Sequence, residues 1–161
     1  MKKTFIILIV TYGLFLIECV ISEVLGLKIK PNLLIISVVF FNLTWGIRWS
    51  LVAAFFAGML KDSFGISILG FYTFSFLMSA YLTTLIKFYL YQTGSRASRV
   101  FIVFLICFLN ATILYFLKLM STPIDLYQSI LQIVIPEIIT TTLVTTFVIQ
   151  KLSQCVSKLY V

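Results

Sequence analysis

The chain alternates long apolar runs with short polar breaks. Thr4 to Leu25 is apolar apart from a few polar positions, chiefly Glu18 and Glu23, and Gly26 closes it. A hydrocarbon layer about 30 Å thick takes about 20 residues of helix, so this run predicts a first membrane helix over 4–25. Lys28-Ile29-Lys30-Pro31-Asn32 reads as a turn, with Pro31 suited to a helix start. Leu33 to Thr44 and Ser50 to Leu60 are apolar but short, and Trp45-Gly46-Ile47-Arg48-Trp49 separates them. Two short helices over 32–45 and 49–61 are favoured over one long kinked helix. In a single helix Arg48 would sit at mid-bilayer, at an insertion cost of about 2.5–3.5 kcal/mol. At a turn it reaches the headgroups, with Trp45 and Trp49 beside it as an interfacial belt.

Lys61-Asp62-Ser63-Phe64-Gly65 is the next break, and a fourth helix is expected over 68–90, entered near Gly70. The stretch from Gln92 to Arg99 reads as a loop. A fifth span follows over 100–120, a turn over Ser121 to Asp125, and a sixth span over 127–150 with Pro136 and Glu137 in its middle. Gln150 to Val161 is left as a tail. Met1-Lys2-Lys3 before an apolar run also imitates a cleavable signal. Glu18 before Cys19, no small-residue cleavage site, and apolar character resuming at Val20 favour a retained first helix.

Composition fixes the solvent. Hydrophobic residues make up 61% of the 161, charged residues 11%, and the mean hydropathy is +1.15. Ordinary soluble domains carry about 25% charged residues, and a chain this short cannot bury so much apolar surface by itself. The expected fold class is therefore an all-α integral membrane protein, about six transmembrane helices in one compact bundle, with 1–161 as a single polytopic domain in the lipid bilayer.

The net charge of +7 changes the topology rather than the partner class. The basic residues lie singly or in pairs between apolar runs, which excludes a nucleic-acid surface of the usual kind. With six spans and the N-terminus inside, Lys2, Lys3, Arg48, Lys87, Arg96, Arg99, Lys151 and Lys158 fall inside, and Lys28, Lys30, Lys61 and Lys118 outside. The positive-inside rule then places both termini in the cytoplasm, with Lys28 and Lys30 running against the count.

Candidate chemistry is sparse. The chain has no histidine, which removes the usual general base, the commonest transition-metal ligand and any Ser-His triad. Cys19, Cys107 and Cys155 are too scattered for a redox or zinc motif and read as free thiols. No catalytic site, cofactor or metal is expected. Glu18 and Glu137 lie within apolar runs, where an ionisable residue is a functional candidate by default. Proton relay, ion ligand and partner contact stand beside a plain hydrogen bond to a neighbouring helix. Pro136 would weaken the helix beside Glu137 and free a carbonyl. Gly58, Asp62, Gly65 and Gly70 form a cluster in which glycines admit close backbone approach and Asp62 either caps a turn or faces a cavity. The threonines from Thr140 to Thr146 suit helix packing.

The order of these features resembles the bacterial rod shape-determining family MreD. Pro31-Asn32-Leu33-Leu34 opens a short span, Gly46-Ile47-Arg48 breaks it, and Gly58-Met59-Leu60-Lys61-Asp62 leads to Gly65 and Leu69-Gly70. Gly58, Asp62, Gly65 and Gly70 fall on the family's signature positions, while Lys61 departs from the apolar residue expected before the aspartate. The resemblance covers essentially the whole chain. It implies a non-enzymatic scaffold of the cytoplasmic (inner) membrane that partners the single-span protein MreC and acts beneath MreB filaments with the cell-wall synthase pair. It also implies a fold similar to the six-helix substrate-binding subunits of vitamin (ECF-type) transporters. The alternative function is therefore a small-molecule-binding transporter subunit. A membrane enzyme acting on lipid substrates is weakened by the missing histidine and by the lack of a paired-carboxylate motif.

Overall fold

A single glycine reverses the chain between its second and third helices. In the computed structural model, which describes residues 2–24, 31–64, 69–90, 96–121 and 135–160, Gly46 has φ +89° and ψ −179°. Only glycine adopts that backbone region without a large steric penalty. Its N–H donates to the Asn42 carbonyl at 3.1 Å and its own carbonyl accepts from Ser50 N–H at 3.2 Å. One residue thus ends α2 (Leu33–Trp45) and starts α3 (Ile47–Phe64). The Ser50 hydroxyl then donates to the Val38 carbonyl at 2.9 Å, a contact that a continuous helix, rising about 1.5 Å per residue, would hold far apart. The segment is a helical hairpin, as the placement of Arg48 requires.

The other described helices are α1 (Lys2–Val24), α4 (Phe71–Leu90), α5 (Arg96–Ser121) and α6 (Ile135–Tyr160). The short helix α2 is the core. Every residue from Leu33 to Asn42 is buried, and α2 packs against each of the other five helices. A helix apolar on all sides must be surrounded on all sides, and this one is. Lys3 lies over Trp45 and Trp49 while Glu18 bonds the start of α2, so α1 runs antiparallel to α2. Asp62 meets Tyr72, Asn110 meets Ser75, and Glu137 meets Asn32. Consequently α2, α4 and α6 start at one end of the bundle, and α1, α3 and α5 at the other.

The outer helices turn large apolar side chains outward, among them Ile9, Phe55, Tyr81, Phe108 and Leu143, each at least 46% exposed. Water would penalise such a surface and lipid does not. Two helical stretches, Lys2–Val24 and Ser98–Leu117, are long and apolar enough to cross a membrane.

Expectations for α5 and α6 are corrected. Pro136 and Glu137 stand in the first turn of α6, not in the middle of a span. Proline lacks the N–H that the first turn leaves without an intrahelical acceptor, and an acid there suits the positive end of the helix dipole. The same helix runs through the supposed tail to Tyr160, because Ile149 and Leu152 still bury their side chains in the core. Arg96 to Arg99, read as loop, belongs to α5. Ser121, expected in a turn, ends α5; the turns expected over 28–30 and 122–125, and Gly65, lie outside the described residues.

Candidate functional site: the polar ends of the buried helix

The thirteen residues of α2 rise about 20 Å, less than the hydrocarbon thickness; the surrounding helices bury its start, while its last turn is half-buried with Thr44 exposed. A helix leaves four N–H and four C=O groups unbonded at its ends, and burying each unpaired costs about 1–3 kcal/mol. Side chains from other helices meet this demand at both ends.

At the start of α2, Glu18 of α1 accepts from Leu33 N–H at 3.0 Å and Leu34 N–H at 3.4 Å through Oε2. Its Oε1 takes the Lys61 ammonium of α3 at 2.8 Å. The pair is largely buried, at 18% and 12% side-chain exposure, and the ammonium also lies 5.3 Å from the Tyr72 ring centre. Asn32 caps the helix by accepting from Ile35 N–H at 3.4 Å. Its own N–H donates to Thr141 Oγ1 at 2.9 Å and its side-chain amide to Glu137 Oε1 at 3.0 Å. One cluster thereby joins α1, α2, α3 and α6, with carboxylates at the positive end of a helix dipole.

At the other end Lys87 of α4 donates to the Asn42 and Leu43 carbonyls, both at 3.2 Å, placing a cation at the negative end. The Asn42 amide, wholly buried, donates to the Ala80 carbonyl at 2.8 Å and Thr84 Oγ1 at 2.9 Å. Asn110 ties α5 to α4 by accepting from Ser75 at 2.7 Å and Ser79 at 3.3 Å.

Gly58 and Asp62 sit four residues apart on one face of α3 and grip the start of α4. A Cβ on Gly58 would lie 2.3 Å from Thr73 Cα and 2.8 Å from Thr73 N, so the backbones meet where only hydrogen fits. Asp62 then accepts from Tyr72 N–H at 3.1 Å, Thr73 N–H at 3.0 Å and Thr73 Oγ1 at 2.6 Å. At 4% exposure it is a cap for the start of α4. Gly70 opens that helix with φ +99°, accepting from Phe74 N–H at 2.9 Å.

The structure therefore brings Glu18 and Glu137 together at the start of α2, Glu18 on Leu33 and Leu34 and Glu137 on Asn32, and sets Asp62 next in sequence to the lysine that holds Glu18. Arg48 stands apart, exposed at the opposite end. The backbone of Pro136 lies in the first turn of α6. Of the threonines, Thr141 reaches α2, while Thr140, Thr142 and Thr145 bond their own helix. Sequence reasoning missed Asn32, Asn42, Lys87 and Asn110 as polar anchors. The available signal was an amide or a cation inside an apolar run, the same signal that exposed Glu18. Among the described residues no group of three metal-ligating side chains occurs. A crevice between α2, α5 and α6, lined in part by Asn32, Asn110, Glu137 and Thr141, holds no room for a water molecule.

Fold and site define an all-helical membrane protein whose polar side chains lock its helices together around a buried core helix. The family model described as rod shape-determining protein MreD matches residues 1–156, and the chain belongs to that family. No curated protein and no solved structure matches the chain. Membership of the family assigns the protein a role in determining rod shape.

Proposed function

We propose that this chain is a non-enzymatic, multi-pass scaffold of the bacterial rod complex. It lies in the cytoplasmic membrane with both termini inside and binds an MreC-like single-span protein. Through that partner it stands beside MreB and the cell-wall synthase pair, and so directs lateral peptidoglycan synthesis. The observation that carries the reading is the grip of Gly58 and Asp62 on Thr73. Gly58 and Asp62, two of the family's signature positions, are occupied in fixing the angle and spacing of α3 and α4, which leaves the Asp62 carboxylate engaged and not free for a reaction. A rigid face held at fixed spacing is what a partner helix needs. The sidedness rests on the basic residues gathered where α1 begins and α6 ends.

The rival reading, a ligand-binding transporter subunit, requires a polar pocket with room inside, and the closed crevice beside Glu137 gives it no support. Affinity purification from native membranes tests the proposal. A single-span partner is expected to accompany the wild-type chain, and to be lost from Asp62→Ala and Gly58→Leu variants that still accumulate in the membrane. Normal binding and rod shape with both variants would overturn it.

A further inference from the structure

We propose that the end of the bundle where α1, α3 and α5 begin is a docking surface for anionic phospholipid headgroups, centred on Lys3, Arg48, Trp45 and Trp49. The first observation is charge segregation. Lys2, Lys3, Arg48, Lys87, Arg99 and Lys151 lie at this end, while Glu18, Glu23, Asp62 and Glu137 lie at the other, where the cation Lys61 is taken up by Glu18. Among the described residues no acidic side chain shares the basic end.

The second observation is that this placement runs against the chain's own electrostatics. Acids favour helix starts and bases favour helix ends. Yet α1, α3 and α5 have no acid in their first turns, and Lys2, Lys3, Arg48, Arg96 and Arg99 stand in or beside those turns. At the opposite end Glu18 and Asp62 meet the starts of α2 and α4 and Glu137 stands in the first turn of α6, although Glu23 and Asp62 lie in the last turns of their own helices. Lys2 and Arg48 are exposed at such helix starts, where a cation set against the dipole is best met by counter-charge from outside the chain.

The third observation selects the source. Lys3 Nζ lies 5.7 Å from the Trp45 ring centre and 5.6 Å from that of Trp49, with Arg48 exposed between them in sequence. Indole rings settle at the headgroup level of a bilayer. A guanidinium matches the paired oxygens of a phosphodiester, and a basic face prefers anionic to zwitterionic lipid. This combination fits a membrane surface better than an acidic protein, which needs no indoles at bilayer depth.

The two tryptophans of the chain are both in this patch, so intrinsic fluorescence reports the site directly. The test is quenching of the reconstituted full chain by brominated phosphatidylglycerol and, separately, brominated phosphatidylcholine in otherwise identical vesicles. The wild type is expected to prefer phosphatidylglycerol at least about fivefold, the equivalent of ~1 kcal/mol for a basic residue near an anionic surface. Lys3→Gln and Arg48→Gln together should bring the preference near unity, and Glu23→Gln at the far end should leave it intact. Equal quenching of the wild type by the two lipids would overturn the proposal, a reading that needs no variant to fold. So would an unchanged preference in the double variant, or an equal loss in Glu23→Gln. Shielding of the tryptophans by soluble polyglutamate without any lipid preference would assign the face to an acidic protein instead, and would also overturn it.

Discussion

The two ends of the buried helix α2 solve one problem in different currencies of charge. At its start, carboxylates from two other helices converge, and the lysine that would otherwise be stranded there is taken up by Glu18. At its finish a single cation, Lys87, meets two carbonyls, and the neighbouring basic residues Arg48 and Lys3 turn to the surface and the indoles. The start is saturated from within, while the finish keeps charge for the outside. Substitutions at the start should therefore act on stability, and those at the finish on surroundings.

The largest effect is expected at Glu18. Glu18→Ala removes the acceptor for Leu33 and Leu34 N–H and leaves Lys61 without its counter-charge. Breaking a buried pair from one side costs about 3–5 kcal/mol. Glu18→Met with Lys61→Met removes both charges and should recover part of that loss. The α2 N–H groups stay without their acceptor, so recovery should be incomplete. Unfolding free energies of the wild type and the two variants in one neutral detergent give the comparison. Full recovery in the double variant would mean that the ion pair, and not the capping of α2, is what Glu18 supplies.

Next come the two residues that hold α3 to α4. Gly58→Ala places a methyl against the Thr73 backbone, and overpacking of this kind costs about 1–3 kcal/mol. At a helix cap asparagine ordinarily serves about as well as aspartate. Both carboxylate oxygens of Asp62 accept, however, one from Tyr72 and the other from Thr73. Asparagine offers one carbonyl oxygen and points an N–H₂ at a second donor. Asp62→Asn should therefore fall near Asp62→Ala, with losses of about 0.5–2 kcal/mol for a helix cap. Stability of Asp62→Asn equal to wild type would show that one of these bonds contributes nothing.

How much of this was legible follows from the range of the signals. The break at Gly46 was readable because an arginine between two tryptophans has a position it can and a position it cannot occupy in a bilayer, and that argument is local. The helix over 71–90, expected over 68–90 and entered near Gly70, was readable from another local signal, an apolar run of bilayer length. Glu18, Glu137 and Asp62 stood out as carboxylates in apolar surroundings. Their partners did not, because Glu18 meets residues 15, 16 and 43 places along the chain, and no local pattern specifies which helices become neighbours. Lys61 looked like a departure from the family pattern when read alone. Beside Glu18 it is the other half of a pair. The start of the last helix was misplaced because Pro136 was read as a kink inside an apolar run, when proline and an acid in succession equally mark a first turn.

The smallest effect sharpens the contrast most, since it applies one kind of substitution to both ends. Lys61→Gln and Arg48→Gln each replace a cation by a neutral amide. At Lys61 the ammonium is 2.8 Å from a largely buried carboxylate, and its loss strands Glu18 as Glu18→Ala strands Lys61. The cost should be somewhat lower, because glutamine can still donate one neutral hydrogen bond to Oε1. At Arg48 the side chain is exposed beyond the Gly46 turn, and a surface substitution away from any cap or buried network stays within about 0.5 kcal/mol. The measurement is thermal unfolding of both variants in a neutral detergent free of anionic lipid, so that only contacts within the chain count. A clear fall for Lys61→Gln beside an unchanged Arg48→Gln is expected. Equal destabilisation would mean that Arg48 has an internal partner and that the basic end is also closed from within.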